Sequence, residues 1–382
     1  MSLLGTETAF EVLAKARRLE AEGMDVVHLE VGEPDFDTPS NIIDAGAAAM
    51  NQGYTHYGPS PGFPEVRARI AEEISRTRNV SVTGENVVIT PGGKPIMFFT
   101  MLALVDEGDE VLYPNPGFPI YESMISFVGG VPVPMRLHES KDFNIDLDEV
   151  TGQITSRTKL MVINSPNNPC GSVIAKEDIE ALADLAKEND ILVLSDEIYS
   201  RILYEGEHFS IASLPGMRDR TLILDGFSKT YAMTGWRIGF GVLPMELVEP
   251  ISRLVTNSVS CTPSFTQMAV LEAMNGPQDE AYEIVAEFKK RRSIIVDGLN
   301  QIPGIRCAMP KGAFYVFPNI EETGMTSRQF ADSLLEDAGV AGLSGDSFGK
   351  YGNGYVRFSF ANSAENIEKA LERIEKFVAA RA

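Results

Sequence analysis

Four short apolar runs narrow the possible folds of this chain more than any other feature. They are "EVLYP" (110–114), "TKLMVINS" (158–165), "ILVLSDE" (191–197) and "TLILDGFS" (221–228), all rich in branched residues and nearly unbroken by polar ones. Strands of this kind are usually buried on both faces, as in a parallel sheet. Helical patterns lie between them: in "KEDIEALADLAKEND" the residues Ile179, Leu182, Ala183 and Ala186 fall on one face. Strand, helix and strand in alternation predict an α/β domain with helices on both sides of the sheet.

The C-terminal part reads differently. "GAFYVFPNI" and "NGYVRFSFA" are strand-like and flank a helix over 327–338, and a last helix carries Ile367, Leu371, Ile374 and Val378 on one face. This predicts a second, smaller α+β unit, joined to the first by a long helical run over 280–299. A chain of 382 residues has room for two domains. There is no apolar run long enough to span a bilayer, and the N-terminus lacks the apolar core of a signal peptide, so an arm leading into an amphipathic helix is expected.

The net charge of −21 argues against nucleic acid and anionic membranes as partners. Cys170, Cys261 and Cys307 are odd in number and far apart. They offer neither a zinc spacing nor a disulfide framework, so no metal site and a reducing, cytoplasmic setting are expected.

Ligands of parallel sheets bind beyond the carboxyl ends of the strands. "SPNNPCG" follows one strand, "DEIYS" ends the next, and "GFSK" follows a third. An amide (Asn168), an acid (Asp196), a phenol (Tyr199) and a lysine (Lys229) thus reach one rim. Singly, each has an ordinary explanation: a turn, a helix cap, a core phenol, a solvated amine. Together they describe a site.

"SPNNPCG", "SDEIY" and "SKTYAMTGWRIG" resemble the pyridoxal-phosphate enzymes of the aspartate-aminotransferase fold, the class I/II aminotransferases. The resemblance extends through "LEVGEPDFDTP", "YTHYGPSPGFPEVR", "TPGGKPIMF", "PNPGFPIY" and "VRFSFA", nearly end to end. It implies a mostly parallel seven-stranded sheet covered by helices in a large domain (45–282), with residues 1–44 and 283–382 forming the arm and small domain. It also implies an enzyme that moves the α-amino group of an L-amino acid to a 2-oxo acid.

The same resemblance distributes roles. Lys229 would form a Schiff base with the cofactor aldehyde and then move the Cα proton. Asp196 would keep the ring nitrogen protonated, while Tyr199 and Asn168 would hydrogen-bond the phenolic oxygen. Gly92, Gly93, Lys94, Ser228 and Arg237 would hold the phosphate. Phe118 would stack on the ring. Tyr57 would reach the phosphate of a neighbouring subunit, which requires a homodimer. Arg357 and the backbone of Gly32 would bind the substrate carboxylate, with Asn168 also in contact with the substrate. Two positions depart from the family pattern: Gly226 stands where many members have a serine or threonine, and Tyr121 where aspartate-specific members often have a histidine.

The same constellation also supports C–S lyases and decarboxylases. A cofactor-binding transcription regulator would need a basic DNA-binding extension, and a nicotinamide dehydrogenase a G-x-G-x-x-G turn; the sequence has neither.

Overall fold

From Thr158 to Asn164 the chain is a strand whose successive side chains enter two different cores. Leu160 and Val162 pack with Ile96, Tyr121 and Ile251, whereas Met161 and Ile163 pack with Ile179, Leu182 and Ala186. A strand buried on both faces has no use for polar alternation, which explains the unbroken apolar run.

The computed structural model describes residues 4–381. In chain order the strands are β1 (Val27–His28), β2 (Val87–Thr90), β3 (Glu110–Asn115), β4 (Val131–Arg136), β5 (Thr158–Asn164), β6 (Leu192–Asp196), β7 (Thr221–Gly226), β8 (Gly239–Val242), β9 (Tyr315–Val316), β10 (Val340–Ala341), β11 (Leu343–Ser344) and β12 (Val356–Ser359). Seven of them form one sheet in the order β2-β8-β7-β6-β5-β3-β4. β8 alone runs opposite to the other six.

One face of the sheet carries the helices Lys94–Leu104, Ile120–Phe127 and Met245–Val259. The other carries Lys176–Glu188, Pro64–Arg78 and Ser264–Asn275. The predicted face of Lys176–Glu188 is the buried one: Ile179, Leu182, Ala183 and Ala186.

A further core joins the two ends of the chain. It gathers Val27 and Leu29, Phe288 and Leu299 from the helix Asp279–Gln301, Phe314 to Val316, Phe358, and Ile367 and Ile374 from the last helix, Ala364–Ala379. Here β11, β12 and β9 form a small antiparallel sheet, and β1 pairs with β10. The strand expected in "GAFYVFPNI" is only two residues long. Pro318 closes it, because proline has no N–H to offer the ladder. The helix Ser327–Ala338 occupies the predicted span; a capping box between Thr326 and Gln329 starts it, and Gly339 ends it at φ 64. Among the described residues no helix is long and apolar enough to cross a membrane.

Candidate active site

The carboxyl ends of β5, β6 and β7 border a cleft of about 510 Å³. Asn164 ends β5, Asp196 lies at the end of β6, and Ser228 and Lys229 follow β7. Gly32, Gly93, Lys94, Phe118, Asn168, Asp196, Tyr199, Ser228, Lys229, Arg237 and Arg357 all line this one cleft. Gly92 adjoins it; its φ of +87° suits glycine, and Arg237 occupies the space where a Cβ would stand. Tyr57 is the exception among the residues singled out from the sequence. It stands away from the cleft with 88% of its surface exposed.

The acid of the site is buried and tied down. The Tyr121 hydroxyl donates to Asp196 Oδ2 at 2.6 Å, and the Ile198 N–H donates to Oδ1 at 3.3 Å. Burial pushes the carboxyl up to about 6, and these two donors pull against it. Tyr121 thus fills the supporting place that the sequence left open. Asn164 steadies the same corner: its Nδ2 donates to the Asp196 carbonyl at 3.1 Å, and its Oδ1 accepts the Asn168 N–H at 2.9 Å.

Lys229 donates from Nζ to the Gly32 carbonyl at 2.6 Å. Its ammonium also faces the Phe314 ring, 5.8 Å from the centroid. Burial lowers it to about 8, with Lys94 and Arg357 adding to the effect and Glu33 opposing it. A neutral, nucleophilic amine is therefore within reach near neutral pH.

At the other end of the cleft the helix Lys94–Leu104 begins, with Gly93 at its N-cap. Arg237 donates to two carbonyls, of Thr234 at 2.7 Å and of Pro91 at 3.4 Å, and forms no ion pair among the described residues. Helix N–H groups and a guanidinium not paired with a carboxylate together suit an anion. The helix start is pressed onto the sheet by backbone alone: a Cβ on Gly239 of β8 would come 2.5 Å from the Gly93 nitrogen. Gly226 pairs with Gly239 in the sheet, and a Cβ there would meet Gly239 Cα at 3.0 Å. A side chain at Gly226 would have to push the facing backbone aside by a few tenths of an ångström, a strain that glycine avoids. The Lys94 ammonium turns away, pairing with Glu7 of the arm, 5.5 Å from the Phe118 ring centroid.

Arg357 comes from β12 and is buried. Nη1 donates to Asn168 Oδ1 at 3.1 Å, Nη2 to the Glu30 carbonyl at 2.5 Å, and Nε has no partner. The group stacks 4.5 Å over Tyr315, whose hydroxyl lies 2.7 Å from that of Tyr199. An incompletely satisfied buried guanidinium is a receptor for a carboxylate.

These groups match the chemical requirements of pyridoxal phosphate: an amine, a carboxylate, a phenol, an aromatic ring, and a helix start beside an arginine. The comparisons with known proteins agree. A family model described as aminotransferase class I and II matches residues 24–374. The chain belongs to the class I and II aminotransferases. It is 40% identical to an aspartate aminotransferase of Pyrococcus abyssi over 361 residues, 93% of this chain and 92% of that one. It is 37% identical to an aromatic-amino-acid aminotransferase of Thermococcus litoralis, again over 93% of this chain and 92% of that one. The solved structure of an aspartate aminotransferase from Thermus thermophilus with maleate superimposes with a TM-score of 0.94 at 40% identity, covering 98% of this chain and 97% of that one. This aminotransferase therefore transfers amino groups between amino acids and 2-oxo acids, and enzymes of its family use pyridoxal phosphate.

Asn164 and Tyr315 line the site but were not singled out from the sequence. Asn164 carried a signal, an amide closing an apolar strand. Tyr315 carried none, because a tyrosine inside the apolar run "AFYVF" reads as core.

Proposed function

We propose that this aminotransferase works through pyridoxal phosphate seated in the 510 Å³ cleft and bonded to Lys229. The observation that supports this is the convergence of Lys229, Asp196, Arg237 and Arg357 on that one cleft. When bound, the cofactor supplies an aldehyde for amine exchange and a cationic ring that accepts the electron pair left at Cα. Asp196 holds the ring N–H, and Tyr199 donates to the phenolic oxygen with Asn168 beside it. Ser228, Arg237 and the backbone of Gly92, Gly93 and Lys94 hold the phosphate, and Phe118 packs on the ring. Arg357 and the Gly32 backbone orient the substrate carboxylate so that the freed Lys229 amine can take and return the Cα proton.

The active unit is a homodimer. Arg237 and Lys94 are exposed in the single chain, as is Tyr57, so a second copy can cover the phosphate end and present its own Tyr57 there. The free thiols Cys170, Cys261 and Cys307 fit a reducing, cytoplasmic setting.

Donor choice lies at the arm. Glu7 pairs with Lys94 at the cleft, and a donor bearing its own side-chain carboxylate could take the place of Glu7. Adding a single amino donor to the loaded enzyme should convert the bound cofactor to its amine form, and borohydride should fix the cofactor to Lys229. Release of pyruvate and ammonia without conversion would identify a lyase instead. Among donors, aspartate and glutamate should exceed alanine, and Lys94→Met should erase that advantage.

A further inference from the structure

Glu197 directly follows Asp196, and Asp225 lies four residues before Lys229, yet neither lines the cleft. Both carboxylates are buried and both are held by one guanidinium, that of Arg78. Its Nε donates to Glu197 Oε2 at 2.8 Å, and its Nη2 donates to Asp225 Oδ2 and to Ser200 Oγ, each at 2.5 Å. Ser195 and Ser210 donate to the other oxygen of Glu197 at 2.9 and 2.6 Å, and His208 Nε2 lies 3.0 Å from Oε2.

Arg78 ends the helix Pro64–Arg78, on the stripe Val66, Ile70 and Ile74 that faces the core. An apolar residue at that position would suit the stripe. Burying three charges carries a large desolvation cost that their mutual attraction roughly offsets, so net stabilisation is a weak reason for the cluster and fixing geometry a better one. The position of the cluster fits that use. Asp196 pairs with Leu224 at the end of β6 and β7, and the Glu197 N–H donates to the Leu224 carbonyl at 2.8 Å. Among the described residues this is the last backbone hydrogen bond between the two chain segments. One segment then runs to Tyr199 and the other to Lys229. Where the backbone ladder stops, the Arg78 fork spans the gap.

We infer that Arg78 is a positioning residue for the cofactor site, fixing both the spacing and the local charge of the strand ends that deliver Asp196 and Lys229. The inference rests on the cofactor reading above. Charged and titratable groups facing the cluster are Glu73 from the same helix, Asp196 at the end of β6, Glu197, Arg201 and His208 from the segment between β6 and β7, Asp225 of β7 and Tyr231 beyond it. Burial pushes Asp225 up to about 6 against the pull of Arg78. Burial also opposes the charge on Glu197, but His208 and Arg78 outweigh it and hold that carboxyl well below its usual range.

The test uses cofactor-loaded enzyme, with pyridoxal phosphate as the probe. The readouts are its dissociation constant and the pH midpoint of its visible absorbance, for Arg78→Met, Arg78→Lys and Asp225→Asn. Removing the cation should raise the midpoint and removing the acid should lower it, because each charge biases the nearby proton by its sign. Arg78→Met should also loosen the cofactor about tenfold, and Arg78→Lys should restore part of that affinity. Shifts of the same sign, or unchanged midpoints in folded variants, would overturn the inference. If Arg78→Met does not fold, the direction of the Asp225→Asn shift decides alone. A borohydride label on wild-type Lys229 separates the two levels: with the label present, only the Arg78 inference is at stake, whereas its absence overturns the site reading as well.

Discussion

Replacing Tyr121 with phenylalanine keeps the ring and removes one hydrogen bond, the 2.6 Å contact to Asp196 Oδ2. A bond to a buried carboxylate is worth about 1.5–3 kcal/mol. At 1.36 kcal/mol per unit, its loss should raise Asp196 by roughly 1–2 units. Asp196 already stands at about 6 because it is buried, so the variant should titrate near or above neutrality in cofactor-free protein. At pH 7 the ionised fraction then falls from about nine-tenths to between about a half and a tenth. Only the ionised acid can hold the protonated ring nitrogen. Pyridoxal phosphate should therefore bind about two- to tenfold more weakly to the variant at pH 7, with the ratio to wild type closing toward pH 9.

The same shift has a stability signature of defined sign. An aspartate whose folded value is raised binds more protons when folded, so its contribution is present below the unfolded value and is lost as pH rises through the folded one. In cofactor-free protein the loss should run from pH 4 to about 6 in wild type and extend about 1–2 units higher in Tyr121→Phe. Cofactor titrations by fluorescence and melting curves, both taken across pH, measure the two effects. Parallel affinity profiles with an unchanged ratio at every pH would refute the reasoning.

Asp196→Asn should leave the melting temperature of the cofactor-free protein equal or higher above pH 6, because it removes a buried charge, while lowering turnover at least about a hundredfold; near-normal turnover with a natural donor would exclude the ring-nitrogen role. Arg357→Lys keeps the charge but loses the fork, so kcat/KM should drop by similar factors for every donor while the absorbance of the bound cofactor stays unchanged. A loss confined to thermal stability would instead make Arg357 a scaffold residue. Tyr57→Ala chains mixed with Lys229→Ala chains should regain about a quarter of wild-type activity after full exchange, since half the dimers are hybrids with one intact site. No recovery from well-mixed, folded parents would rule out a site shared between subunits.

The central strands were legible because burial on both faces leaves an unbroken apolar record, and the ends of β5, β6 and β7 pointed to the cleft through the polar residues that follow them. The short strands of the small sheet were not legible in length, since Pro318 rather than hydrophobicity sets where β9 stops. The roles of Tyr121, Tyr315 and Arg78 depend on partners 75, 116 and 119 positions away, and local pattern carries no such information. Arg78 nevertheless left a trace: a guanidinium in the fourth place of an apolar series spaced by four, Val66, Ile70, Ile74.

The seating of Gly93 on Gly239 divides the site into a fixed half and an adjustable half. Where backbone rests on backbone, nothing remains to repack, so point substitutions can hardly move the helix start proposed to hold the phosphate. The end of the cleft proposed to select the donor is built from side chains, Glu7 and Phe10 of the arm with Lys94 and Thr234. A lineage on this scaffold can therefore exchange one amino acid substrate for another without relearning how to hold its cofactor, and a laboratory library aimed at new donors should randomise the arm and leave the glycines alone.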